Sequence, residues 1–259
     1  MNWQTAKNFI QSIYDWLYPP LPECMWCGKE YWPEDEIPFC QDCLLQVPVI
    51  SGRQCLKCSR PLRLAAARKD FCFLCEHHTY FFTRVKAATL YDGIIKQLLH
   101  RLKYYGQVHL GQRLGSLLVE RIKWEYVWYS YDLILPIPLA AAKYKERGYN
   151  QAAILARAVA NYLKRPYSEE ILVRIKETLS QNQLSLAERR KNLYGAFMVT
   201  QPMKITGKKI LLIDDIFTSG ATISSAAWIL LKNGARRVDG LTLALGVLPE
   251  QWLTKNPKV

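Results

Sequence analysis

The sequence predicts an α/β protein in which a mostly parallel β-sheet follows a small cysteine-rich module at the N-terminus. Two observations carry this prediction. Short apolar runs alternate with longer amphipathic segments from Thr83 onward, and all eight cysteines fall in the first third of the chain. Strands that alternate with helices are typical of parallel sheets. With 259 residues, half of them apolar, the chain is long enough for one sizeable domain and an appendage.

The elements of the sheet domain follow one another in a regular order. Apolar or alternating runs predict strands at residues 83–91, 131–138, 208–214 and 238–245. Helical spacing of apolar residues predicts helices at residues 94–105, 110–124, 150–163 and 221–233. Ligands of such sheets bind at the carboxyl ends of the strands, which selects the loops after Pro138 and after Asp215.

By composition the chain divides into four parts. Residues 1–20 have the spacing of a short helix, residues 21–79 form the cysteine module, residues 80–246 form the sheet domain, and residues 247–259 are a tail without a pattern. No apolar run approaches the length of a membrane span, and Met1–Tyr18 lacks the pattern of a signal peptide. We therefore expect a cytoplasmic protein with no transmembrane segment.

The net charge of +13, with a pI near 9.4, favours partners that carry phosphates, including nucleic acid. Charge alone does not indicate the fold. Solvated lysines and arginines are the ordinary explanation of such a balance, so the identity of the partner has to come from motifs.

The cysteines form four Cys-x-x-Cys pairs, a spacing that predicts two tetrahedral zinc sites with four thiolates each. The pairs are Cys24/Cys27, Cys40/Cys43, Cys55/Cys58 and Cys72/Cys75. Sequential pairing of these knuckles is the simplest arrangement, and a cross-braced arrangement fits the spacing as well. In a reducing compartment metal binding is favoured over disulfides.

Two roles for the zinc module remain open. It can be a structural staple, because a segment this short buries too little surface to fold without metal. It can also grip single-stranded nucleic acid or a protein, since aromatic side chains are scattered through it. These are Trp26, Tyr31, Trp32, Phe39, Phe71 and Phe73. Most of them are expected to form the small core of the module.

A phosphate and ribose site is predicted where the third strand meets the last helix. Four apolar residues are followed by Asp214 and Asp215, and then by a loop of small and hydroxyl residues, Thr218–Thr222. A loop that enters a helix presents free N–H groups to an anion, and Gly220 lets the backbone close around it. The acids would repel a phosphate but suit ribose hydroxyls, and they are also ligands for Mg²⁺. A polar helix cap is the plainer alternative.

This run resembles the phosphoribosyl pyrophosphate (PRPP) signature of type I phosphoribosyltransferases, with Ser219 in place of the commoner second threonine. The resemblance implies a type I phosphoribosyltransferase-like sheet. It implies that Asp214 and Asp215 are the catalytic acids and contact the ribose. The PRPP-binding residues it implies are Asp214, Asp215, Phe217, Thr218, Ser219, Gly220, Ala221 and Thr222.

Further motifs in the same order resemble the ComF family, competence-associated proteins with an N-terminal zinc ribbon. The motifs are Leu102–Gly106, Leu135–Leu139, Lys145–Gln151, Gln181–Asn192 and Gly195–Phe197. The resemblance runs from Cys24 to about Leu245. It implies that the stretch Arg174–Phe197, polar and basic with a surface helix at Ala187–Tyr194, takes the place of the mobile catalytic loop.

The loop after Pro138 then becomes the pyrophosphate loop, and Lys103, Lys145 and Arg147 become candidates to meet the diphosphate or a nucleic-acid backbone. For Arg147, a solvated side chain at a capped helix start is the alternative.

Three functions are compatible with these features. The resemblance implies a protein of natural competence and DNA uptake that binds PRPP-Mg and single-stranded DNA, together with proteins of the uptake machinery. The alternative is an active phosphoribosyltransferase with an unknown acceptor. A nucleobase-salvage enzyme would leave the zinc module without a role. The expected cofactors are two structural Zn²⁺ ions and a Mg²⁺ ion that accompanies PRPP.

Overall fold

The computed structural model describes residues 3–5, 7–9, 21–33, 37–62, 70–123, 126–176 and 195–246. The chain forms two compact units, residues 1–45 and residues 46–259. Most of the predicted N-terminal helix, the predicted surface helix at Ala187–Tyr194 and the tail lie outside the described residues, although residues 3–5 and 7–9 are helical. The second half of the cysteine module therefore belongs to the larger unit, and the predicted boundary at residue 79/80 stays a prediction.

The described residues of the larger unit contain six strands: β1 (Val85–Leu90), β2 (Leu133–Pro136), β3 (Leu172–Arg174), β4 (Phe197–Val199), β5 (Lys209–Phe217) and β6 (Arg237–Leu245). Four of them form a parallel sheet in the order β1-β6-β5-β2, and β3 and β4 form a separate antiparallel pair. The predicted α/β class with a mostly parallel sheet is confirmed.

The helices are, in chain order, α1 (Gln41–Leu44), α2 (Phe73–His77), α3 (Gly93–Tyr104), α4 (Val108–Ile122), α5 (Ala141–Arg147), α6 (Gln151–Leu163) and α7 (Ala221–Lys232). Short 3₁₀ turns occur at Tyr126–Ser130 and Pro202–Lys204. Of these helices, α1 belongs to the smaller unit. Within the described residues, no helix combines the length and the apolar character needed to cross a membrane.

Strand β5 is longer than the sequence predicts and contains both acids. Its pairing with β6 continues from Lys209 opposite Arg237 to Phe217 opposite Leu245, so backbone hydrogen bonds hold it beyond Asp214. Because successive side chains of a strand point to opposite faces, the two acids do not project side by side. The sequence also did not predict α5 or the β3–β4 pair.

Two features fix the position of helix α6: a close contact with α4, and the asparagine that caps its first turn. A Cβ atom on Gly115 of α4 would lie 2.5 Å from the Cβ atom of Ala158 in α6, so the two backbones approach as only glycine allows. Asn150 caps α6 by accepting a hydrogen bond from Ala152 N at 3.1 Å, and its amide donates to Ile137 O at 3.0 Å. The start of α6 is thereby fixed to the segment that follows β2.

Another buried acid, Asp239, is structural. It lies near the amino end of β6, where Arg237 Nε donates to it at 2.8 Å and the Arg84 N–H donates at 3.1 Å. The Tyr131 hydroxyl also donates to it, and burial followed by the charge of Asp239 raises the pKa of Tyr131. Ligands of parallel sheets bind at the opposite end of the strands, so this network stabilises the fold and is no site candidate.

Candidate functional site

The eight cysteines lie in two groups of four, each drawn from consecutive pairs along the chain. The Sγ atoms of Cys24, Cys27, Cys40 and Cys43 lie within 4.8 Å of one another, and so do those of Cys55, Cys58, Cys72 and Cys75. The sequential pairing is therefore the one the structure adopts. All eight cysteines are free of disulfides.

The spacing of the sulfur atoms fits a zinc ion in each group. A tetrahedron with Zn–S bonds of about 2.3 Å places neighbouring sulfurs about 3.8 Å apart. The Sγ atoms of Cys27 and Cys40 are 3.7 Å apart, and those of Cys58 and Cys72 are 3.6 Å apart. Four thiolates and no open position are typical of a structural zinc site, so the metal would hold the knuckles together.

The second cysteine group is part of the core of the larger unit. Cys55, Cys58 and Cys72 are buried in the same apolar cluster as Leu212 of β5 and Ile223 of α7. The knuckle is also joined to the sheet, because Val85 N donates to Lys57 O at 2.7 Å. This group therefore stabilises the sheet domain directly.

At the carboxyl end of β5 the two acids have different surroundings. Asp215 is buried and forms an ion pair with Lys103 of α3, while Asp214 is only partly buried. The Asp215 N–H donates to Asp214 Oδ1 at 2.9 Å, and the Ile216 N–H donates to Asp215 Oδ1 at 2.9 Å. Asp214 is thus the acid with a face open to a ligand.

These surroundings shift the pKa values of the two acids in opposite directions. Burial, followed by the charge of Asp215, holds the pKa of Asp214 well above its usual range. Burial acts to raise the pKa of Asp215, but the charge and hydrogen bond of Lys103 outweigh it and the pKa is lowered. Two acids whose environments separate their pKa values in this way are common at functional sites.

In the loop after β5, three consecutive carbonyl groups accept hydrogen bonds from neighbouring residues, and the backbone N–H groups that follow point away from those neighbours. Phe217 O accepts from Gly246 N at 2.8 Å, Ser219 O accepts from the Tyr80 hydroxyl at 2.9 Å, and Thr218 O accepts from the Arg60 guanidinium. Within the described part of the chain, the N–H groups of Ser219 and Gly220 donate no hydrogen bond. Two such donors at a helix start are the arrangement that anions bind in other proteins.

Gly220 is required in this loop by both conformation and space. Its φ angle is +80°, and a Cβ atom there would lie 2.9 Å from Phe217 Cζ and 2.9 Å from Tyr80 Cε1. A side chain at this position would displace one of the two rings or the loop itself. Ser219 is buried, whereas Thr218 and Thr222, the other hydroxyl residues, are partly exposed.

The basic residues predicted to meet a diphosphate are distributed over two elements. Lys103 forms the ion pair described above, so its charge stabilises Asp215. Lys145 is exposed at the end of α5, and Arg147 donates to Gln151 and stacks 5.7 Å from the Tyr104 ring centre. Neither Lys145 nor Arg147 is hydrogen-bonded or ion-paired to the acids among the described residues.

Beside the end of β2 lies a cavity of about 730 Å³. Its lining includes residues of the loop after Pro138, which the sequence identified. The charged residues of the lining are Lys145, Arg174 of β3 and one acid, Glu169. The segment Arg174–Phe197 connects β3 to β4 along the chain. Its residues 177–194, including the predicted surface helix, lie outside the described residues.

Residues 13–77 match the double zinc ribbon domain family. Competence protein F of Haemophilus influenzae is 30% identical over 151 residues, which cover 57% of this chain and 66% of that protein. Competence protein ComFC of Bacillus subtilis is 29% identical over 221 residues, or 82% of this chain and 85% of that protein.

The chain belongs to the ComF family. A further relative is DNA utilization protein YhgH of Salmonella typhimurium, 26% identical over 215 residues that cover 78% of this chain and 94% of that protein. The predicted zinc ribbon and the predicted family are thereby confirmed.

Among solved structures, a purine phosphoribosyltransferase from Pyrococcus horikoshii aligns at 17% identity with a TM-score of 0.33, over 54% of this chain and 79% of that one. The allosteric regulatory enzyme of purine biosynthesis aligns at 19% identity with a TM-score of 0.35, and the alignment covers 51% of this chain and 25% of that one. Scores this low do not identify a fold. The strand order and the loop of the ComF-family chain itself describe its sheet.

Sequence reasoning missed two residues that shape the loop of this ComF-family chain. Arg60 and Tyr80 hold consecutive carbonyl groups, and no motif marked them. Arg60 lies two residues after Cys58. The position of this cation beside a pair of metal-binding cysteines was the one signal in the sequence that could have marked it as a functional residue. The sequence motifs selected both Lys103 and Asp215, but they did not predict the ion pair between them.

The opposite pKa shifts predict opposite effects of two similar substitutions on stability. An acid whose folded-state pKa exceeds its unfolded value, about 3.9, destabilises the fold increasingly as the pH rises above that value. Asp214→Asn is therefore expected to raise Tm at pH 7. Asp215→Asn leaves Lys103 buried without its partner and is expected to cost on the order of 3 kcal/mol. Thermal unfolding of both variants measures this, and shifts of the same sign would contradict the assignment.

The two cysteine groups are expected to differ in their effect on the sheet domain. Each of Cys24→Ser and Cys58→Ser should lose one of two zinc equivalents, measured by a colorimetric zinc assay. Only Cys58→Ser should lower the melting temperature of the sheet domain, because Cys58 lies in its core. Loss of both zinc ions from Cys24→Ser would contradict two separate sites.

Proposed function

We propose that this ComF-family protein acts in natural competence and DNA uptake, where it binds PRPP-Mg at the end of β5 and single-stranded DNA on a nearby surface. The observation that carries the PRPP part is the loop after Asp214 and Asp215. It presents two N–H groups, those of Ser219 and Gly220, that have no partner among the described residues. Names of relatives, competence protein and DNA utilization protein, support the DNA part.

The ligand's parts match the surroundings of the loop. A 5'-phosphate would accept hydrogen bonds from Ser219 N and Gly220 N at the start of α7, where the helix dipole favours an anion. The ribose hydroxyls would donate to Asp214, the acid with an open face. Asp215 would act indirectly, because Lys103 already neutralises it. The lining of the cavity beside β2 contains two cations, Lys145 and Arg174, and one acid, Glu169, so its net positive charge would favour the diphosphate.

Magnesium is part of the proposal because of the donor chemistry. Mg²⁺ prefers oxygen ligands and is commonly held by one or two carboxylates together with substrate phosphates. Asp214 is the available carboxylate. When bound with PRPP, the ion would offset the charge of the diphosphate, and Asp214 would orient the ribose.

Turnover of PRPP with an unknown acceptor is the alternative. The cavity of about 730 Å³ favours it, because this space beside the end of β2 exceeds what a diphosphate fills. Release of pyrophosphate from PRPP in the presence of candidate acceptors decides between turnover and binding alone.

The PRPP site is tested by the affinity for PRPP-Mg of wild type and Asp214→Asn, measured by titration calorimetry. Loss of a charged hydrogen-bond acceptor is expected to weaken binding about ten- to hundredfold. Because the pKa of Asp214 is raised, wild-type affinity should increase as the pH rises and the carboxyl ionises, while the variant should respond less.

Asp92→Asn is the matched control, since Asp92 is an exposed cap of α3 and asparagine caps almost as well. Equal affinity of wild type and Asp214→Asn, or equal weakening in the control, would contradict the PRPP site.

Exposed aromatic and basic side chains lie together near the acid pair. We call His100, Tyr104, Tyr105, Tyr144, Lys145 and Arg147 the aromatic–basic surface. Tyr104 and Tyr105 are 60% and 66% exposed, and the His100 ring centre lies 4.7 Å and 5.7 Å from theirs. Tyr144, 51% exposed, lines the cavity beside β2. Helix α3 carries three lysines and arginines and no acid.

Stacking faces beside cations are what single-stranded nucleic acid requires. Each stacked base contributes about 1–3 kcal/mol, and the backbone phosphates contact lysine and arginine. The Arg147 guanidinium already stacks on the Tyr104 ring, so it offers both interactions at one place. The aromatic–basic surface is therefore the proposed DNA contact, in preference to the ribbon aromatics.

Fluorescence anisotropy with a labelled oligothymidylate tests this surface. The double variant Tyr104→Ala/Tyr105→Ala is expected to bind at least about tenfold more weakly than wild type, because two stacking faces are lost. Tyr104→Phe/Tyr105→Phe keeps the rings and should bind as wild type does. Trp32→Ala is the comparison for the ribbon, since Trp32 is 82% exposed in the smaller unit.

Weakening in Trp32→Ala but not in the double tyrosine variant would place DNA on the ribbon. Absence of binding by wild type at low salt would contradict the DNA part altogether. We also propose contacts with proteins of the uptake machinery, and a cytoplasmic location, which reduced cysteines favour.

A further inference from the structure

Arg60 is a buried arginine that connects the second cysteine group to the loop after β5. Its side chain is almost inaccessible, with 5% of the residue exposed. Its Nη1 atom lies 3.5 Å from Cys58 Sγ, its Nη2 atom donates to Thr218 O, and its guanidinium stacks 5.4 Å from the centre of the Phe217 ring. An arginine is rarely buried unless its donors are used, and here they join two sites.

The knuckle that carries Arg60 is itself held in place. Ser59 has a φ angle of 60°, which few residues other than glycine adopt, and its hydroxyl donates to Val85 O at 3.0 Å. Backbone bonds run from Val85 N to Lys57 O and from Cys55 N to Arg60 O. The first strand of the sheet and the cysteine group thus fix the position from which Arg60 reaches the loop.

Holding a carbonyl group determines where the next N–H group points. In a trans peptide the C=O of one residue and the N–H of the next are directed oppositely, and the described chain has no cis peptide bond. Arg60 holds Thr218 O, so Ser219 N–H is directed away from the ribbon. The Tyr80 hydroxyl holds Ser219 O, so Gly220 N–H is directed away from the Tyr80 ring. These are the two N–H groups proposed to receive the phosphate.

We propose that Arg60 is a positioning residue for the phosphate site, and that it couples the second zinc ribbon to that site. This inference rests on the proposed PRPP function. The ribbon knuckle places the guanidinium, the guanidinium orients the Thr218–Ser219 peptide, and the peptide presents its N–H to the anion. The second cysteine group therefore shapes ligand binding as well as stabilising the fold.

The test compares Arg60→Met and Arg60→Lys with wild type. Methionine keeps the apolar contact with Phe217 but donates no hydrogen bond, and lysine keeps the charge and one donor at a time. PRPP-Mg affinity is expected to fall at least about tenfold in Arg60→Met, the equivalent of one charged hydrogen bond, and to recover partly in Arg60→Lys. Zinc content should stay at two equivalents in both.

Arg53→Met is the matched control. Arg53 lies in the same ribbon but forms an exposed ion pair with Asp70 at 2.8 Å, so its loss should leave affinity unchanged. Unchanged affinity in Arg60→Met with PRPP binding intact in wild type overturns the proposal. If Arg60→Met loses zinc, Arg60→Lys decides, and wild-type affinity in that variant overturns the proposal.

A second readout separates this inference from the proposed function. The amide ¹⁵N chemical shift of Ser219, measured without ligand, should differ between Arg60→Met and wild type, because the Thr218 carbonyl loses the donor that orients this peptide. The same change in a protein that does not bind PRPP would retain the positioning role and discard PRPP as the ligand. An unchanged Ser219 amide shift in Arg60→Met overturns the positioning role.

Discussion

Two hydrogen bonds to carbonyl groups set the character of the loop after β5. Arg60 and Tyr80, both from the segment that precedes the sheet, hold the carbonyls of Thr218 and Ser219. The following N–H groups are therefore directed elsewhere and remain available for an anion. The parallel sheet places the end of β5 at the edge where ligands of such sheets bind. Gly220 allows the turn of the loop, and the ribbon, through Arg60, orients the Thr218–Ser219 peptide. The candidate site depends on all three, but only the last determines which atoms face the ligand.

The acid pair shows how function and stability oppose each other at this edge. Lys103 neutralises Asp215 and makes it structural, which leaves Asp214 with a raised pKa and a face open to the ligand. A carboxyl in such surroundings destabilises the free protein, and a cation or hydroxyl donors on a ligand would relieve the cost. The proposed ligand binding and the unfavourable position of Asp214 would therefore have a common cause, the burial of one acid beside another.

The sequence predicted what local patterns determine. The apolar run of β5 and the cysteine spacing correctly predicted the strand and the zinc ribbon, and the glycine marked the loop between β5 and α7. Helix α5 was missed because none of its residues is buried, so it has no apolar period. The contact between Arg60 and Thr218 joins residues 158 positions apart, and no local pattern encodes it. The end of β5 was misjudged because pairing with β6, and not hydrophobicity, carries the strand past Asp214.

The central claim is that an anion binds the N–H groups of Ser219 and Gly220, held in place by the ribbon. Amide ¹⁵N chemical shifts of the full chain during a titration with PRPP-Mg test it most directly. The largest changes are expected at the amides of Ser219 and Gly220, because a phosphate that accepts their hydrogen bonds alters the surroundings of both nitrogens. Changes confined to the exposed lysines and arginines, with these two amides unmoved, would contradict the account.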